Sequence, residues 1–183
     1  MALCGAFPRV HHKAACFAFA SETRFARDSL GILSRRFVMS APDFYFASQA
    51  IFRHIHDSYG KEALVDYWRA LAREYYRKRI EAWRRGGLAA VASDWRSYFA
   101  NEPLADVQVI EGSDEVALEI RVCPAIRHLR EQERTIVPYF CEHCDHTCGV
   151  MADAARLSFH REGGMGTCRQ VFARLDRTGQ EPM

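Results

Sequence analysis

The chain has 183 residues, 49% of them hydrophobic and 26% charged. That is ordinary globular usage at single-domain length, which excludes a fibrous repeat or a disordered chain and leaves enough sequence to bury a core without staples. A formal charge of only +2, and no apolar run near the 18 or so residues of a membrane span, give no ground for a nucleic-acid or membrane partner.

Residues 1–38 stand apart. They carry six basic groups against two acids, a net of +4, while the rest of the chain is net −2. No helical or strand period runs through them. An organelle-targeting leader is one reading, which Glu22 and Asp28 oppose. A loose basic arm, or an over-extended start before Met39-Ser-Ala-Pro, is the reading adopted. No small-residue cleavage site follows the short apolar stretch Ala14–Ala20, so export is not expected.

From Asp43 to about Asp57, Phe44, Ala47, Ala50, Ile51 and Ile55 recur at helical spacing. The next helix is expected over Lys61–Arg85, with Leu64, Tyr67, Trp68, Leu71, Tyr75 and Trp83 as its apolar stripe and Gly86-Gly87 as its stop. A third follows over residues 88–99. The period then changes to two: Val107 and Val109, then Val116, Leu118, Ile120 and Val122, around Gly112-Ser113-Asp114, predict a hairpin over residues 106–122. Pro124 opens a short helix to Arg130, and Pro138 a longer one to about Ala155. Leu157–Arg161 and Cys168–Leu175 read as closing strands around Gly163-Gly164-Met165-Gly166. The expectation is one α+β domain over residues 39–176, with N-terminal helices packed on a small antiparallel sheet and two further helices between the hairpins. Residues 177–183 form a tail.

Seven cysteines, an odd number, include three within Cys141-Glu-His-Cys-Asp-His-Thr-Cys148. Without export, such clustering reads as reduced cytoplasmic thiols available for catalysis or metal. A helix opening at Pro138 puts Cys141 in its first turn, where the dipole lowers a thiol pKa. Positions 141, 144, 145 and 148 share one face, and His143 and His146 point away from it. Cys141 and Cys144 are two ligands for a zinc, short of the four that structural zinc takes. The reading adopted has no metal and no cofactor, with zinc as the alternative. For Cys144 and Cys148 the plain role is that of small apolar core side chains.

Three segments together resemble the L-2-amino-thiazoline-4-carboxylic acid hydrolase family: Val122-Cys123-Pro124, then Val137-Pro138-Tyr139-Phe140-Cys141-Glu142 with Asp145, then Gly163-Gly164-Met165-Gly166-Thr167-Cys168. The likeness covers roughly residues 43–175. It implies hydrolytic ring opening of a cyclic amidine thioether to N-carbamoyl-L-cysteine, with a small molecule as partner. On that chemistry a Cys141 thiolate attacks the amidine carbon, and His143, His146 or His128 activates the water that follows. Asp145 orients or protonates, and Arg121 or Arg127 holds the substrate carboxylate. Gly164 lies beside the substrate, and Cys123 and Cys168 line the pocket or replace Cys141. A metal-bound hydroxide is the other attacking group. The rival class is a non-catalytic small-molecule-binding or zinc-binding sensor of the vinyl-reductase type, whose C-terminal motifs are related. Homo-oligomerisation is left open.

Overall fold

In a computed structural model describing residues 41–175, five helices and four strands follow the expected order. The readings of residues 1–38 as an arm and 177–183 as a tail lie outside the described residues, as do Cys4 and Cys16. Helix α1 spans Ala41–Tyr59, and Gly60, at φ 89°, separates it from α2, Lys61–Glu74. Helix α3, Arg77–Ala100, is interrupted at Gly87, whose φ of 59° and ψ of −147° are not helical. The glycine pair thus bends the chain where expected. The stripe read as one helix over 61–85 is nonetheless two, broken at Tyr75-Tyr76. The reason lies in the packing. Trp68 on α2 is buried with Phe52, Leu129 and Phe140, whereas Trp83 on α3 is buried with Val116, Leu118 and Phe172 of the sheet. The break lets one stripe serve two cores.

Strands β1, Asp106–Glu111, and β2, Glu115–Val122, form the first hairpin. Helix α4, Pro124–Glu131, follows with Pro124 at its start, where a missing N–H costs nothing. Helix α5, Glu142–Ala154, leads into β3, Leu157–Gly164, and β4, Thr167–Arg174. The sheet is antiparallel throughout, in the order β1-β2-β4-β3. One face carries Val116, Leu118, Ile120, Leu157 and Phe172 into the core with α3 and α5. The opposite face bears a charged ladder, Arg169 bonding Glu119 at 2.8 Å and Glu115 at 3.0 Å. Among the described residues no helix is long and apolar enough to cross a membrane.

Register decides what meets at one sheet end. Asp106 pairs with Val122 and Ile120 with Cys168, while Gly164 pairs with Thr167 across a two-residue turn. The start of β1, the end of β2 and the β3–β4 turn therefore share an end. Met165 and Gly166 both have positive φ, 51° and 118°, the handedness a tight hairpin turn needs.

Candidate functional site

Helix α5 starts four residues later than Pro138 suggests. Residues 138–141 make single turns, with N–H donations from Phe140 to Val137 O, Glu142 to Tyr139 O and Cys144 to Cys141 O. Val137 N–H is held by buried Gln49, and Phe140 is 3% exposed in the helical core. Those anchors fix the approach to the helix. Cys141 accordingly occupies the N-cap rather than the first turn, and its side chain caps no helical N–H.

Its sulfur is engaged elsewhere: Met165 N–H donates to Cys141 Sγ at 3.2 Å. Arg130 donates to Met165 O at 2.7 Å, Cys123 N–H to Gly166 O at 2.9 Å, and Thr167 Oγ1 to Arg121 O at 3.2 Å. The β3–β4 turn is thus bolted to α5, α4 and the end of β2. The segments around Cys123, Cys141 and Cys168, far apart in sequence, meet there. Gly164 is part of the fit. A Cβ on it would lie 3.7 Å from Cys141 Sγ and 3.2 Å from Arg161 Nη1.

Asp145, one turn into α5, forms a two-pronged pair with Arg161 of β3, at 2.8 Å from Nε and 2.6 Å from Nη2. Arg161 also donates to Gly163 O. On the core side Gln170 Nε2 lies 3.8 Å from Cys168 Sγ.

The expected lowering of the Cys141 thiol is reversed. Burial pushes it up, against the pull of the Met165 N–H and the Arg161 guanidinium. Burial likewise pushes Cys123, Cys144 and Cys168 up to about 11 and Cys148 well above the usual range. All five are free thiols. Removing a half-buried thiolate from water outweighs the donors around it.

The other expected residues are dispersed. His143 packs against Phe52 and Phe140, donates to Phe140 O at 2.8 Å and has Nε2 3.7 Å from Cys144 Sγ. His146 stacks on Trp68 with centroids 5.6 Å apart. Burial lowers both imidazoles from their usual value. His128 lies near Tyr45, centroids 6.5 Å apart. Arg121 is directed to Gln108 and Asp106, and Arg127 to Glu131 at 2.7 Å. Among the described residues no three His, Cys, Asp or Glu side chains gather as a metal-binding group. Among those same residues Cys141 and Cys144 have no third ligand grouped with them. Cys148 is buried among α3 and sheet residues, as a small core side chain.

Sequence reading missed Arg161, Arg130 and Gln170. For Arg161 and Gln170 a signal exists: each occupies an inward position of a period-two strand, beside Phe159 and Phe172, where an apolar residue is the rule. Two open clefts, of about 410 and 310 Å³, lie against α3–β1 and on α1, and no cysteine lines either. No protein-family model, curated protein or solved structure matches the chain.

Proposed function

We propose that the protein is a cysteine-dependent hydrolase that opens a cyclic amidine such as L-2-amino-thiazoline-4-carboxylate to N-carbamoyl-L-cysteine. The observation that carries this reading is the convergence of Cys123-Pro124, Cys141 with Asp145, and the Gly163–Cys168 turn at one end of the sheet. Cys141 Sγ attacks the carbon between nitrogen and sulfur, and the ring carbon–sulfur bond breaks to release the substrate thiolate. Water then adds to the same carbon, the bond to Cys141 breaks, and a urea remains. One water is consumed and one thiol set free, with no oxidant or reductant.

The Met165 N–H, already aimed at the sulfur, stabilises its anion. Asp145 is held by Arg161 within reach of the Cys141 field, a charge pair suited to orienting the amidine. Arg130, held at the turn by Met165 O with no acidic partner shown, is better situated to meet a substrate carboxylate than Arg121, Arg127 or Arg161, each of which is paired with an acid.

The upward shift of the thiols favours a second reading, a binding or sensor domain that holds a small molecule without turnover. Incubation with L-2-amino-thiazoline-4-carboxylate separates the two. Catalysis predicts N-carbamoyl-L-cysteine by mass spectrometry with one new thiol per molecule opened. Saturable binding with no product over many hours would replace it by the sensor reading.

A further inference from the structure

Ring opening by Cys141 makes no use of Cys144, yet the fold sets that thiol one turn away. Cys144 N–H donates to Cys141 O at 3.2 Å, and Cys141 has φ −75° and ψ −17°, so residues 141–144 close a single helical turn. Positions three apart in such a turn have Cα atoms about 5 Å apart, inside the roughly 4.4–6.8 Å that a disulfide spans. Cys148 lies two turns beyond Cys141, about 10 Å along the helix, and is out of its reach. Cys144 and Cys148 both sit within regular helix, where the Cα–Cβ bonds tilt the same way. Their Cβ atoms stay about 5–6 Å apart, wider than the roughly 3.5–4.5 Å of a disulfide. Cys141 differs because it is the N-cap, with a side chain that caps no N–H, after residues held in single turns. Turning its sulfur toward Cys144 gives up the Met165 N–H and no hydrogen bond of α5.

A proton acceptor stands beside the second thiol. His143 Nδ1 donates to Phe140 O at 2.8 Å, which leaves Nε2 as the bare nitrogen, 3.7 Å from Cys144 Sγ. Burial favours the neutral ring, the form in which Nε2 accepts a proton. We propose that Cys141 and Cys144 form an oxidation site for peroxides, a dithiol that closes to a disulfide. The Cys141 thiolate attacks one peroxide oxygen, the O–O bond breaks, and hydroxide leaves and is protonated to water. Cys141 is then a sulfenic acid. Cys144 passes its proton to His143 Nε2 and attacks the Cys141 sulfur. The S–O bond breaks, and the departing hydroxide recovers that proton as water. The two sulfurs are oxidised, the peroxide is reduced, and no other reactant is needed. The site does not rest on the hydrolase reading, since disulfide formation is read without any thiazoline substrate.

The test treats the reduced full chain, freed of reductant, with an equivalent of hydrogen peroxide. The remaining thiols are then alkylated in urea, and a digest is mapped by fragmentation mass spectrometry. Cys141 and Cys144 should be joined in one peptide that has lost two hydrogens, with Cys148 alkylated. Cys148→Ser should form the same bond. Cys144→Ser should stop at the sulfenic acid, so that dimedone labels Cys141 several-fold more than in wild type. Absence of a disulfide in wild type overturns the proposal, as does a bond from Cys141 to Cys123, Cys148 or Cys168. Equal dimedone labelling of wild type and Cys144→Ser overturns it as well, because Cys144 would then not be the thiol that resolves Cys141.

Discussion

Opposed influences meet on the Cys141 sulfur: burial raises its pKa, while the Met165 N–H and Arg161 favour the anion. At Cys144, pushed up to about 11, burial outweighs Arg161 and the Gln170 donor, and Cys148 is only 6% exposed. Near neutral pH Cys141 should therefore alkylate faster than either, as followed by mass-spectrometric labelling, and equal or slower labelling would remove its claim to reactivity. Because its pKa is raised, the thiolate and hence turnover should keep climbing as pH passes through the ordinary thiol range. A rate already level at pH 7 would contradict this. Stability runs the other way. Cys123, Cys144 and Cys168 prefer the neutral thiol when folded, so stability is full below the unfolded thiol value of about 8.5 and falls as pH rises from there towards about 11. Urea midpoints across that window check the sign. Cys148→Ser, placing a hydroxyl among apolar neighbours, should cost about 1–3 kcal/mol in the same assay.

Among the elements, the β3–β4 hairpin positions the site most directly. Gly163 has φ 83°, and a Cβ there would lie 2.7 Å from Thr167 O. Gly163→Ala should thus cost about 1–3 kcal/mol and lower turnover, because Met165 N–H would leave Cys141 Sγ. Thermal melting and activity together test this. Asp145→Ala leaves Arg161 partly buried without its partner. With Asp145 39% exposed, solvent screening limits the loss to about 1–2 kcal/mol. Both hairpins were legible because alternation in Val116, Leu118 and Ile120 is a local signal. The break at Tyr75-Tyr76 was not, since the stripe from Leu64 to Trp83 continues through it. What breaks the helix is the demand of two cores for Trp68 and Trp83, a tertiary cause. Pro138 misled for a similar reason: the burial of Phe140 and the Gln49 bond hold residues 138–141 in turns.

Over the described residues, helices cover one face of the sheet, and the segments of Cys123, Cys141 and Cys168 meet at one end. The sequence carried the cysteines of that end, because motif order survives without coordinates. It did not carry the dispersal of Arg121, Arg127, His143 and His146, which register and helix rotation decide. The compositional break near Met39 leads to a further expectation. A chain beginning at Met39 should fold with the thermal stability of the full chain, and a large loss would show that residues 1–38 support the domain. The central claim is tested most directly by thiol release from L-2-amino-thiazoline-4-carboxylate, corrected for protein cysteines, in wild type and Cys141→Ser. A serine hydroxyl ionises far less readily than a thiol, and His143 and His146 face the helical layer. Cys141→Ser should therefore keep the wild-type fold and lose most of the turnover. Comparable release by the two proteins would contradict the account and transfer the chemistry to Cys123 or Cys168.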